Sequence, residues 1–259
     1  MQDHEAGYAE IFEQRGRAHD EAFKTYPQAC SKEVKAVLRL AHPKPGEILL
    51  DLPSAGGFLS EHLDVTQVRL IAVDPSPALH ELCKQRVRES YLAPLHRLPL
   101  ADASVDVAVC LAGLHHEPRL SEVFSEIARV LRPEGRLAIA EVNANSAVAG
   151  FLNGFVDRHN TLGHDGNFFD DSYLTKLGDA GFRIVSDEEV TYHWPFDSRE
   201  ALADCLRLMF GIDRSQPNEI LAAVERELGI DPVENGKIGM RWSLRHVLAL
   251  NGPQPGIHK

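Results

Sequence analysis

Apolar positions along this chain follow two rhythms, and the switch between them outlines the fold. From residue 48 to 142, short apolar runs alternate with amphipathic stretches. The runs predict strands at Ile48–Asp51, Val68–Asp74, about Tyr91–Leu95, Val105–Gly113 and Arg136–Val142. Helices are predicted between them, from about Gly57 and over Pro77–Arg88. The clearest helix places Leu120, Val123, Phe124, Ile127, Val130 and Leu131 on one face before RPEG stops it. Two helices precede this block. The second carries Val34, Val37, Leu38 and Ala41 at helical spacing and ends in HPKPGE, residues 42–47.

After Asn143 the rhythm slows. A helix is predicted near Ser146–Asn160, followed by the irregular TLGHDGNFFDD and a helix, SYLTKLGDAGF, capped by Asp171 or Ser172. A strand follows at about Arg183–Tyr192. One or two helices then span Ser198–Leu228, with Leu202, Cys205, Leu206, Met209 and Phe210 in one stripe. Met240–Leu250 reads as a last strand and NGPQPGIHK as a frayed tail. Strands alternating with helices of this length imply an α/β fold, a mostly parallel sheet covered on both faces. The helical stretch before the last strand exceeds a simple connection and reads as a lid. The expected organisation is an N-terminal helical cap (1–45), a core (46–195 with 240–250) and a helical lid insertion (196–239).

Composition narrows the partners. The chain has 259 residues, 44% of them hydrophobic, enough for a sizeable core. Its 27 basic and 38 acidic residues give a net charge of −11, a field that repels phosphate backbones and anionic lipid. Neither nucleic acid nor membrane is therefore expected as a partner. There is no apolar run of about 18 residues to cross a bilayer. The start of the chain is acidic and amphipathic, without the apolar core of a signal peptide. Cys30, Cys83, Cys110 and Cys205 show no CxxC spacing, so free thiols in a reducing cytoplasm are expected.

The candidate chemistry gathers at the predicted strand ends. In ILLDLPSAGGFLS (48–60), a strand ends in Asp51 and a small-residue turn leads to Gly56 and Gly57. Asp74 ends the next strand 23 positions later, close to the spacing at which a Rossmann-like site places an acid for ribose hydroxyls. The turn lacks the GxGxxG that a dinucleotide needs, and Asp51 would repel a pyrophosphate. A ligand carrying an ammonium group suits that carboxylate better, so an NAD-linked dehydrogenase is the poorer reading. His115 and His116 end the fourth strand at the same edge, and a neutral imidazole there can take a proton. No metal is expected: His159 and His164 sit at a spacing poor for one helix face, with Asp165 beside them in a loop. The aromatics Phe151, Phe155, Phe168, Phe169, Trp194, Phe196 and Phe210 are either core or the wall of an apolar acceptor pocket.

Four segments in order, LLDLPSAGG, IAVDPS, LPLADASVDVAVCLAGLHH and EIARVLRPEGRLAIAEV, cover roughly residues 45–143. Together they resemble the class I S-adenosylmethionine-dependent methyltransferases, particularly those acting on small molecules. YLTKLGDAGFRIV extends the likeness towards residue 185. The resemblance implies a Rossmann-like seven-stranded sheet whose last strand, Met240–Leu250, runs antiparallel beside Arg136–Val142. It implies S-adenosylmethionine as cofactor and in-line methyl transfer to an oxygen, nitrogen or carbon nucleophile. On the same basis Asp51, Pro53, Ala55, Gly56, Gly57, Asp74, Pro75, Leu95, His96 and Leu111 bind the cofactor. Leu95 and Leu111 would sandwich the adenine, and His116 would be the base. Tyr8 or Phe12 of the first helix is read as closing over the cofactor. The family's first motif usually reads D-x-G-x-G-x-G, and here its glycine positions hold Pro53, Ala55 and Gly57. Proline fixes φ and alanine disfavours positive φ, so a different loop backbone is expected. That departure supports a second reading, a degenerate member acting as a regulatory or interaction module.

Overall fold

A computed structural model describes residues 7–164 and 166–252. Residues 1–6 of the expected cap, Asp165 and the tail from residue 253 lie outside the described residues. Helices α1 (Tyr8–Thr25) and α2 (Ser31–Ala41) lead into β1 (Ile48–Asp51), β2 (Arg69–Asp74), α3 (Pro77–Cys83), β3 (Glu89–Leu92) and β4 (Val105–Leu111). Next come α4 (Leu120–Val130) and β5 (Leu131–Glu141). Helix α5 (Ala147–Phe151) runs through a π-helical turn (Leu152–Val156) into α6 (Asp157–His159). The chain then forms α7 (Asp171–Asp179), β6 (Phe182–Phe196), α8 (Arg199–Phe210), α9 (Pro217–Glu227), β7 (Ile230–Pro232) and β8 (Ile238–Asn251).

The strand order is β3-β2-β1-β4-β5-β8-β6. β1 to β5 pair in parallel, and β8 inserts antiparallel between β5 and β6, with Ile139 opposite Val247 and Tyr192 opposite Trp242. The last strand thus lies where the resemblance put it. An eighth strand, β7, was not anticipated. It pairs with Ile238–Met240 on the edge of β8 beyond the end of β5, where three residues suffice to cover the free edge. The chain leaves β1 towards β2 on one side and returns to β4 on the other. The switch point of this sheet therefore lies between the carboxyl ends of β1 and β4, where an open α/β sheet binds its ligands.

Both faces of the sheet are covered, which is why β1, β4 and β5 read as nearly unbroken apolar runs. One face packs under α2, α5, α8 and α9 through Val37, Val107, Phe151 and Leu206; the other packs under α4 and α7 through Phe124, Ile127, Leu137 and Leu177. Helix starts follow local chemistry. Ser76 caps α3 ahead of Pro77, Ser198 caps α8, and Asp170, not Asp171 or Ser172, caps α7 by accepting from the Ser172 amide at 2.8 Å.

The helix expected from Gly57 is a single 3₁₀ turn, Phe58–His62. Gly56 and Gly57 both take positive φ (88° and 84°), and the chain is extended again by Leu63, so no second turn can form. A Cβ on Gly57 would lie 3.0 Å from Cys83 Sγ and from Val87, so glycine lets this turn press against α3.

Candidate active site

Asp51 closes β1 with its side chain buried, and its Oδ2 has no hydrogen-bond partner among the described residues. Burial, then the neighbouring Asp74, pushes its carboxyl well above the usual range. The following turn doubles back at once: the Leu52 amide donates to Val109 O, and the Ser54 amide to Val73 O. Ala55 adopts φ 46°, a left-handed conformation costing an L-residue roughly 1–2 kcal/mol. The strain is held by a bond from the Ala55 amide to Asp74 Oδ2 at 2.8 Å. Alanine thus takes the positive φ that glycine would have made easy.

Asp74, at the tip of β2, is fully buried and saturated. Its Oδ1 accepts from the Ser76 amide at 2.9 Å; its Oδ2 accepts from Ala55 N and, at 3.3 Å each, from Ser54 Oγ and Tyr8 Oη. Burial raises its pKa to about 6, and these four donors oppose the rise. Tyr8 reaches it because α1 lies directly on α3. Gly16 has no side chain, so α1 can approach Leu79, which a Cβ there would meet at 3.2 Å. Arg86, just beyond α3, pairs with Asp20 of α1 at 2.8 Å. The first helix therefore closes over the second strand end, and Tyr8 is the residue that does it.

The loop after β4 closes the same region from the other side. Gly113 packs on the Pro53 ring so tightly that a Cβ would lie 2.5 Å from Pro53 Cγ. A proline ring cannot rotate away, so Gly113→Ala should cost about 2 kcal/mol of stability through overpacking. Pro53→Ala should recover most of that loss in the double variant. A urea-unfolding mutant cycle reads the coupling; additive effects would mean that the two loops do not touch in solution.

A cavity opens at the switch point, between Asp51 and the helices α1, α2 and α8. Asp51, Pro53, Ala55, Leu111 and His116 line it; Gly56, Gly57, Asp74, Pro75, Leu95 and His96 do not. Gly56 turns its carbonyl to Arg86 Nη1, and Pro75 merely links Asp74 to the cap of α3. Leu95 is fully buried in the core cluster of Leu52 and Val73, so it forms no face of an adenine slot open to the cavity. His96 Nδ1 lacks a partner among the described residues. Of the aromatics, Trp194 and Phe210 line the cavity, joined by Phe12, Phe23, Phe58 and Trp242. Phe151, Phe155, Phe168, Phe169 and Phe196 are core.

Three groups here escaped the sequence reading, and a fourth, His164, was weighed there only beside His159. Arg15 of α1 faces the cavity with a buried, unpartnered Nε among the described residues, and burial lowers its pKa to about 10. Glu33 of α2 is buried in the wall of the same cavity, and desolvation lifts its carboxyl to about 8. Glu141, at the tip of β5, accepts from the amides of Gly113 and Leu114 at 2.6 Å each and from His115 Nδ1 at 2.8 Å. This one carboxylate therefore shapes the β4 tip. His164 enters from the loop after α6, near His115 and His116. Only Glu141 carried a signal, as an acid ending an apolar strand; the others depend on helix and loop placement.

Residues 50–139 match the family described as Methyltransferase domain. Over this segment the chain is similar to the class I S-adenosylmethionine-dependent methyltransferases. Among relatives, the ubiquinone/menaquinone biosynthesis C-methyltransferase of Rubrivivax gelatinosus is 31% identical over 107 residues, covering 40% of this chain and 43% of that protein. The chain thus spans under half the length of that relative. Among solved structures, a SAM-dependent methyltransferase from Thermotoga maritima superposes with a TM-score of 0.63 at 16% identity, covering 94% of this chain and 99% of that one. The cyclase SpnF superposes with a TM-score of 0.59 at 18% identity, covering 88% and 82%. At these identities both show the fold alone. The matched segment ends inside β5, so α1, α2 and α8, which line the cavity, lie outside it.

Proposed function

We propose that this chain transfers the methyl group of S-adenosylmethionine, by in-line displacement, to an oxygen, nitrogen or carbon nucleophile of a small molecule in the cavity. The observation that carries this reading is the buried Asp51 carboxylate, which reaches the switch-point cavity with one oxygen unpartnered among the described residues. A desolvated carboxylate without a counter-charge is costly, and a ligand ammonium removes the cost. The donor set fits an aminoacyl nucleoside: Asp51 for the ammonium and Asp74 for the ribose hydroxyls, with the Pro53–Gly57 turn between them. In that reading Leu111 borders the nucleoside.

When bound, S-adenosylmethionine supplies an electrophilic methyl carbon on a sulfonium centre. The chain's own residues bind, orient and keep water out. Arg15 aims a cation at a carbonyl or anionic oxygen of the acceptor, and the indoles of Trp194 and Trp242 form an apolar wall. His116 lines the cavity and is the residue assigned the acceptor's proton; burial, then His115, lowers its pKa well below the ordinary value, which keeps it neutral but makes it a weak base. Residues 1–45 act as a cap and 196–239 as a lid over the core. We place the protein in the cytoplasm, acting on a small molecule rather than nucleic acid or membrane. Its four cysteines are free and buried, and no helix among the described residues is long and apolar enough to cross a membrane.

One observation favours the second reading, a degenerate regulatory module: Tyr8 already occupies Asp74, and Pro53 already meets Gly113. Calorimetry with S-adenosylmethionine and S-adenosylhomocysteine separates the two. Micromolar binding supports the enzyme; no heat at millimolar ligand supports the module. Tyr8→Phe removes the hydroxyl that competes for Asp74. It should tighten the adenosyl ligand about fivefold while costing about 1 kcal/mol of stability, the net worth of one hydrogen bond. Unchanged affinity would mean that Tyr8 does not gate the nucleoside end.

A further inference from the structure

We infer that His115, His116 and His164 form a binding site for one divalent transition-metal ion of the zinc class, with an open coordination position facing the cavity. The sequence expectation of no metal tested His164 against His159, its neighbour in the chain. The fold instead carries His164 to the pair at the tip of β4, while His159 Nδ1 is spent on Phe155 O at 2.8 Å.

The ligating atoms of the three imidazoles lie within 4.8 Å of one another, and the ring centroids are 4.1, 5.2 and 5.8 Å apart. Two of the rings are fixed from behind. His115 Nδ1 meets Glu141 Oε2 at 2.8 Å, and Glu141 is acceptor to three backbone amides, so the ring proton sits on Nδ1 and Nε2 keeps its lone pair. His164 Nδ1 meets Asn153 Oδ1 at 3.1 Å, which fixes its tautomer in the same way. Asn153 also brackets Gly166, accepting from its amide at 2.9 Å and donating to its carbonyl at 3.0 Å. The Asn167 amide donates to His115 O at 2.9 Å, which ties the two arms together. A carboxylate or carbonyl oxygen behind each ligating histidine is the arrangement that orients imidazoles on a metal.

Three neutral rings presenting lone pairs to one point repel each other unless a cation or a shared donor sits there. Glu141 provides the compensating negative charge, while Arg15 and His19 face His116 from α1. Tetrahedral coordination with metal–nitrogen bonds of about 2.0–2.1 Å needs nitrogens about 3.3 Å apart. The rings therefore have to close by about 1.5 Å at most, within reach of side-chain rotation. Three imidazoles with no thiolate favour zinc, cobalt or nickel over magnesium or calcium.

The test uses the full chain, dialysed against chelator and titrated with Co²⁺ alone. One equivalent should give the intense visible bands of four- or five-coordinate Co²⁺, displaced by Zn²⁺. His116→Gln and His164→Gln should each weaken Co²⁺ at least tenfold, and His159→Gln should not. Should the two cluster variants fail to fold, thermal unfolding of the wild type decides, because Zn²⁺ must raise its Tm. A weak six-coordinate spectrum with no Zn²⁺-dependent Tm shift, or equal affinity in all three variants, would overturn the site. Neither Asp51 nor Asp74 contributes a ligand, so failure here is separable from failure to bind S-adenosylmethionine.

Discussion

Asp51→Asn is expected to weaken S-adenosylmethionine binding about a hundredfold or more, within the 2–5 kcal/mol lost when one member of a buried charge pair is removed. The same change should make the free protein more stable. In the free protein the carboxylate is buried beside Asp74 with no cation near it, and burial holds its pKa well above the ordinary value. Asparagine has no charge to desolvate. Opposite signs on binding and stability are the signature of a ligand site, since a residue that merely caps a turn would lose stability and leave binding alone. The raised pKa adds a proton linkage. Burial raises the carboxyl's pKa and a paired ammonium lowers it again, so below the free-state pKa binding releases protons and tightens as pH rises. Calorimetry in buffers of different ionisation enthalpy reads that release directly. An Asp51→Asn variant with wild-type affinity would remove Asp51 from the site.

Glu33→Gln carries the largest expected effect on stability. The folded pKa of Glu33 is about 8 against 4.5 for an unperturbed side chain, because burial penalises its charged form. Between those values the folded chain holds a proton that the unfolded chain has released. Stability from this group is therefore complete below about pH 4.5, falls as pH rises, and is fully lost above about pH 8. The total loss is on the order of 4 kcal/mol. Glutamine keeps the shape without the ionisation, so the variant should match the wild type in acid, exceed it in base and lack the slope between. Urea unfolding on both sides of the window checks this, and an unchanged slope would assign the pH dependence elsewhere. The consequence for the site is electrostatic: near neutrality Glu33 is uncharged, so it does not cancel Arg15 in the acceptor end of the cavity.

Much of this architecture is legible in the sequence because parallel strands buried on both faces cannot disguise themselves. ILLD, RLIAVD and VDVAVCL have no other comfortable place than a covered sheet, and their terminal acids mark the carboxyl edge. The amphipathic face of α4 was equally plain. What escaped depended on distant chain segments. Arg15 belongs to a helix whose docking is set by Gly16 against Leu79, a contact across more than sixty positions that no local pattern announces. Glu33 looks like any surface acid of an amphipathic helix, yet α2 turns it into the cavity. His164 sits in an irregular loop and gains meaning only when Asn153 and the His115 carbonyl fix that loop in place. The Leu95 turn shows the reverse error. Its place in the motif suggested a ligand contact, while its side chain serves the core.

The claim beneath all of this is that Asp51 and Asp74 grip opposite ends of one aminoacyl nucleoside. A crystal structure grown with saturating S-adenosylhomocysteine tests it most directly. The expected density places the amino group on Asp51, the ribose hydroxyls on Asp74, and the Tyr8 hydroxyl displaced from Asp74 Oδ2. A structure in which Tyr8 keeps its bond to Asp74 and Pro53 still meets Gly113, with no adenosyl density between the two carboxylates, would contradict it.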